Sequence, residues 1–335
     1  MNEKLRIFWF AGALVLLHAA GWGLYLWYAP RAPALAGLAA LAYTFGLRHA
    51  FDADHIAAID NTTRKLLQDG KRPLGTGFFF SLGHSTIVFS LTAGLAVAAG
   101  TVHSQIPAFQ AYGSTIGASV SATFLLLIGT LNLLVLLEVV GVFRRMKHGN
   151  CDEQDLGRAL ANQGFLARFL LKRVGSRIDS SWKMYPLGVL FGLGFDTATE
   201  IALLAAAAGV ANRHVPFLAV ISLPLIFAAG MSLMDTLDGA FMSHAYGWAF
   251  ASPVRKVYYN ISVTSLSVAV AWLVGAIELL QVLAAKLALH GRAWTLVESV
   301  DLGRLGYLVV GLFAATWAVS ILFWKARRVE ERWTL

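Results

Sequence analysis

Eight apolar blocks, each longer than a core helix of a small soluble domain needs to be, limit what this chain can fold into. They run Ile7–Tyr28, Leu35–Ile59, Gly75–Ala99, Ala118–Phe143, Met184–Val210, Val215–His244, Tyr258–Val282 and Leu302–Trp324. A helix needs about 20 apolar residues to cross about 30 Å of hydrocarbon, and every block exceeds that. None alternates with the period of 2 expected of a barrel wall, so the blocks read as helices. Composition agrees: 57% of residues are hydrophobic and 14% charged, whereas a soluble domain is about a quarter charged. The first block follows Lys4 and Arg6 as a leader would, but it is long for one and reads as a span. The expected fold is an all-α polytopic membrane protein with eight transmembrane helices.

The net charge of +8 could suggest nucleic acid. Its distribution assigns it to topology instead. Of 27 Lys and Arg, 21 fall in the tails and loops of one side, 5 fall on the other when Arg304 at the start of the eighth block is included, and Arg48 lies inside the second block. The positive-inside rule then places both termini in the cytoplasm. The chain divides into spans 1–4 (1–143), a basic cytoplasmic loop (144–183), and spans 5–8 with a cytoplasmic tail (184–335). The loop reads either as a basic amphipathic helix on anionic headgroups or as a solvated linker. The single cysteine, Cys151, permits neither an internal disulfide nor a thiolate cluster. The expected partners are the bilayer and a small cation, not nucleic acid.

Ionisable groups inside spans are costly and mark functional sites. The second block carries five in nine residues: Arg48-His49-Ala50-Phe51-Asp52-Ala53-Asp54-His55-Ile56. At about 100° per residue, His49, Asp52 and His55 share an arc of about 120°, while Asp54 points away. Arg48 is expected to pair with Asp52 at i,i+4. Asp54 is then either a supporting residue, or the helix is distorted here. The third block offers His84 beside Ser85, and the fifth offers Asp196 and Glu200 on one face near Thr199. The sixth projects Met231, Asp235 and Asp238 within about 60° of one another. Six carboxylates against one arginine demand a cation. Imidazole, carboxylate and a thioether together suit a borderline divalent transition metal better than Na⁺ or Ca²⁺. Glu138 and Glu278 lie near span ends and are expected to reach water.

The two halves also resemble each other. Phe51-Asp52 and Phe195-Asp196 precede Phe80-x-x-Gly83 and Phe227-x-x-Gly230 by 29 and 32 residues. Paired spans are offset by three and so cross in opposite directions. This is the pattern of an inverted repeat with its substrate site near the midplane.

At Arg48–Ile56, Phe78–Val88, Leu193–Glu200 and Gly230–Asp238 the chain resembles the nickel/cobalt transporter family. The resemblance covers nearly the whole sequence. It implies secondary transport of Ni²⁺ or Co²⁺ into the cytoplasm across a prokaryotic plasma membrane, with the metal as cargo and no cofactor. It also implies essential roles for His49, Asp54 and His55. The metal-site candidates are therefore His49, Asp52, Asp54, His55 and His84. Arg48, Ser85, Asp196, Thr199, Glu200, Met231, Asp235 and Asp238 are expected to support them or line the path. The alternative, an intramembrane zinc hydrolase, lacks a His-Glu-x-x-His helix and a carboxylate base beside an open metal position.

Overall fold

A computed structural model describes residues 3–31, 35–98, 106–147, 178–193, 216–249 and 253–326. Among these residues there are helices and no strands. The helices are α1 (Glu3–Tyr28), α2 (Ala36–His49), α3 (Ala53–Gln68), α4 (Thr76–Ala98) and α5 (Ile106–Lys147). They continue as α6 (Met184–Gly192), α7 (Phe217–Ala249), α8 (Pro253–Leu287), α9 (Arg292–Glu298) and α10 (Leu302–Ala326). Five segments are long and apolar enough to cross a membrane: Leu5–Tyr28, Thr115–Leu134, Phe217–Gly247, Ile261–Leu287 and Leu302–Ser320. Large apolar side chains such as Phe8, Trp9, Leu16, Leu308 and Leu322 lie exposed on α1 and α10, as lipid-facing surfaces require.

The second block is not one helix. It breaks after His49, turns through Phe51 N–H···O Arg48 (2.9 Å) and Asp52 N–H···O His49 (3.0 Å), and restarts at Ala53. Asp52 is extended there, at φ −63 and ψ 140. A last turn with i−3 bonds followed by one extended residue satisfies the backbone without a continuous helix. The new helix α3 then continues past Ile59 to Gln68. Arg64 and Lys65, which sequence counts as loop charges, are instead buried in that helix. Removing them leaves 19 basic residues against 5, and the charge asymmetry persists. Pro216 does not kink a helix, because it precedes α7 and its carbonyl accepts the Ala219 N–H at 2.9 Å. Pro224 does lie inside α7.

The break falls between two apolar clusters. Ala50 belongs to one with Ala39, Ala42, Val88 and Phe227, and Ala53 to the other with Ile56, Phe80 and Phe191. α7 packs against α1, α2, α3 and α4, while α4 also packs on α6. Glycines set these crossings. A Cβ on Gly46 of α2 would strike the Phe227 carbonyl and come within 3.1 Å of the Met231 nitrogen of α7. One on Gly188 of α6 would strike the Phe80 carbonyl and come within 3.0 Å of the His84 nitrogen of α4. Small residues let membrane helices approach backbone to backbone in this way. His84 and the break are thereby drawn toward a common point.

Candidate metal centre

His49 ends α2, His55 sits in the first turn of α3, and His84 lies on α4. Their ring centroids stand 4.6 Å (His49–His55), 4.8 Å (His49–His84) and 4.8 Å (His55–His84) apart. One nitrogen from each falls within 4.8 Å of the others. The two Nε2 atoms of His49 and His84 are 3.2 Å apart. Adjacent imidazole ligands at about 2.0–2.1 Å from one ion stand about 3 Å apart, so this spacing fits two ligands of a single metal.

Carboxylates stand against two of the rings. Asp52 Oδ2 accepts from His49 Nδ1 at 2.8 Å, and Asp235 Oδ2 lies 3.4 Å from His55 Nδ1. The second contact is close enough for charge attraction but is not aligned as a hydrogen bond, and both Asp235 oxygens have no hydrogen-bond partner. A carboxylate on Nδ1 fixes the tautomer and leaves Nε2 free to ligate. Asp52 occupies the N-cap position of α3, yet its side chain makes no capping bond. It holds His49 instead of an orphan backbone N–H, which Asp at this position usually serves. Arg48 is exposed and approaches Gly303 of α10 beside Asp52 Oδ1, so the two interact electrostatically without forming the expected direct ion pair.

Asp54 does not join the three histidines. Its Oδ1 accepts the His55 backbone N–H at 2.9 Å, which ties down the first turn of α3. The helix is distorted at this point, but the distortion brings Asp52 to the imidazoles and not Asp54. Met231 is fully buried in the apolar cluster around Phe227. Ser85 Oγ and Asp238 Oδ2 are buried without partners. Asp196, Thr199 and Glu200 lie outside the described residues, as do Cys151 and the part of the basic segment from 148 to 177.

Phe80 was legible only as part of a repeat motif. Its ring stands perpendicular to His55, with centroids 4.8 Å apart at 89°, and gives the centre an apolar wall. Glu278 is 3% exposed and accepts from Ser121 Oγ at 2.7 Å, so it does not reach water as its place near a span end suggests.

Three imidazoles with uncompensated buried acids behind them form a receptor for a desolvated cation. If Asp52 orients His49, Asp52→Asn should weaken Ni²⁺ binding by about 10–100-fold, the usual cost of losing such a partner. Isothermal titration of the detergent-solubilised protein checks this, and unchanged affinity would make the Asp52–His49 contact incidental.

The family model described as a high-affinity nickel-transport protein matches residues 35–323. The chain is similar to nickel transporter NicT of Mycobacterium tuberculosis, at 53% identity over 96% of this chain and 89% of that one. It is 48% identical to nickel transporter NixA of Staphylococcus aureus over 99% and 98% of the two chains. It is 40% identical to the cobalt transport protein NhlF of Rhodococcus rhodochrous over 96% and 93%. No solved structure matches it.

Proposed function

The chain belongs to the high-affinity nickel-transport protein family, and from that premise we propose that it imports Ni²⁺ or Co²⁺ through the centre formed by His49, His55 and His84. It is a metal-ion transporter and not an enzyme, and the zinc-hydrolase alternative has no support among its relatives. The observation that carries the site assignment is the convergence of three imidazoles, one held by Asp52 and one facing Asp235. A hydrated ion sheds water onto nitrogen donors already gathered at one point, which lowers the ordering cost of binding. Asp54 supports the site by fixing the turn that presents His55. Arg48, Ser85, Asp238 and the three fifth-span residues line or steady the path.

We place this centre in an eight-helix frame in a prokaryotic plasma membrane, with both termini cytoplasmic and the two halves related as an inverted repeat. Support for the repeat comes from the glycine crossings. Gly46 meets Phe227 and Met231 of α7 as Gly188 meets Phe80 and His84 of α4. Reciprocally, a Cβ on Gly230 would approach the Tyr43 carbonyl and the Leu47 nitrogen, and one on Gly83 the Tyr185 carbonyl and the Val189 nitrogen. The residues paired by these contacts are offset by 147 between α4 and α7, as the sequence motifs pair them, and by 142 between α2 and α6. Rocking of one half against the other then exposes the site alternately as a secondary transporter requires.

Purified protein in proteoliposomes should accumulate ⁶³Ni²⁺, with Co²⁺ in competition reporting the preference that the shared ligand set leaves open. Asp235→Asn should raise the apparent Kd by about tenfold, because it removes charge from behind His55. Unchanged affinity in that variant would make the carboxylate structural, and absence of uptake by the unmodified protein would sink the transport reading for this chain.

A further inference from the structure

Beyond His55, α3 carries Asp60, Asn61, Thr62, Thr63, Arg64 and Lys65, and all of them are buried. Asp60 and Arg64 lie about 7 Å and 13 Å further along the helix than His55. In the topology proposed above, that direction leads to the cytoplasm. Asp60 is held from two sides: Tyr246 Oη donates to its Oδ1 and Arg64 Nη2 to its Oδ2. The same Nη2 donates to Ser267 Oγ of α8, and the guanidinium carbon lies 5.3 Å from the Tyr246 ring centroid. Asp238, one turn of α7 beyond Asp235, interacts electrostatically with both Asp235 and Asp60. A line of acids thus runs from the histidines through Asp235 and Asp238 to Asp60, and a tethered cation closes it.

The pair does not look like a finished structural ion pair. A guanidinium has five N–H donors, and a buried one is stable when they are all used. Here Nε and Nη1 of Arg64 have no hydrogen-bond partner, although the side chain is fully enclosed. The Asp238 Oδ2 acceptor is likewise buried and unpartnered. Spare donors on Arg64 and a spare acceptor on Asp238, which interacts with the Asp60 that Arg64 holds, give the guanidinium a second position.

We propose that Asp60 is a second, transient station for the travelling metal ion, and that Arg64 is a tethered cation that fills this station between passages. The inference rests on the reading that the ion passes the histidine centre. An ion leaving three neutral imidazoles needs an anionic partner, and unoccupied buried acids would trap it. Asp60 meets the first need and Arg64 the second. It neutralises Asp60 while the path is empty, and the doubly charged ion displaces it by repulsion and by stronger attraction to the carboxylate. Arg64 then keeps its stacking on Tyr246 and turns its spare donors toward Asp238 or the arriving solvent.

The test is the double variant Asp60→Asn/Arg64→Gln, which removes both charges together. Taking out one partner strands a buried charge, whereas neutralising both is often tolerated by the fold. If the pair ligates and gates, the double variant binds Ni²⁺ at the histidine centre with near-normal affinity, while ⁶³Ni²⁺ uptake into proteoliposomes falls by about tenfold or more. If uptake stays within about twofold of the parent protein, the pair is structural and the inference is overturned. Failure of the parent protein to bind or take up Ni²⁺ would instead overturn the transport reading itself. A second measurement decides the matter if the double variant does not fold. Ser267→Cys, made in a Cys151→Ser background, places a thiol against Arg64. Its labelling by a membrane-impermeant maleimide from the cytoplasmic face should accelerate by about fivefold when Ni²⁺ is added. A rate indifferent to Ni²⁺ overturns the displacement.

Discussion

Replacing His49 or His55 with alanine should abolish Ni²⁺ accumulation while leaving a folded, membrane-inserted protein. Each substitution removes one of the three nitrogens that converge within 4.8 Å. No neighbouring group can take its place. The nearest carboxylates, Asp52 and Asp235, lie on the Nδ1 side of the His49 and His55 rings, at 2.8 Å and 3.4 Å. Losing a partner outside the ligand shell costs about 10–100-fold in metal affinity, so losing a ligand should exceed about 100-fold. His84→Ala should cost less than His49→Ala, because His84 Nδ1 is buried without a hydrogen-bond partner, whereas Asp52 holds His49 Nδ1. The measurements are isothermal titration with Ni²⁺ and ⁶³Ni²⁺ uptake, with thermal unfolding as the control. Near-normal uptake by His49→Ala or His55→Ala would falsify the ligand assignment.

Sequence pattern made the helical class legible because lipid allows so few alternatives, and it singled out the histidines because their burial is costly. It could not locate the break. Periodicity alone suggested either a continuous helix or a distortion in Arg48–Ile56, and the bonds from Phe51 N–H to Arg48 O and from Asp52 N–H to His49 O choose the second. That choice reassigns the two aspartates. Asp52 turns to His49, and Asp54 turns to its neighbour's backbone, so the residue which the angular argument favoured sits beside the imidazoles. The limit of α3 was also hidden, since Asp60-Asn61-Thr62-Thr63-Arg64-Lys65 reads as a loop by hydropathy. Tertiary packing against α7 and α8 overrides that reading. Tyr246 and Ser267, 186 and 203 residues further along the chain than the Asp60 and Arg64 they bond, draw this stretch into the interior. Glu278 escaped for the same reason, because its partner Ser121 lies 157 residues earlier.

The other large effect is expected at glycines that touch no metal. Gly46→Ala and Gly188→Ala should each impair metal binding and lower thermal stability. In each case the new Cβ meets a backbone carbonyl, of Phe227 or of Phe80, and a carbonyl within a helix cannot rotate aside as a side chain can. The helices must separate instead. Overpacking of this kind costs about 1–3 kcal/mol in well-packed interiors. Separation of α4 from α6 carries His84 with it, since the His84 nitrogen lies 3.0 Å from the added Cβ. Separation of α2 from α7 displaces His49, which ends α2 three residues after Gly46. Gly12→Ala and Gly23→Ala provide the comparison, because a Cβ at either position meets nothing within 4 Å; both should bind Ni²⁺ as the parent does. The size of the two effects also bears on the inverted repeat. Related halves place Gly46 and Gly188 in the same role, so the two substitutions should cost similar stability. Metal affinity should still fall further for Gly46→Ala, since its helix carries a ligand that Asp52 must hold in register. Parent-like unfolding and binding in both alanine variants would mean that these contacts do not set the spacing of the centre.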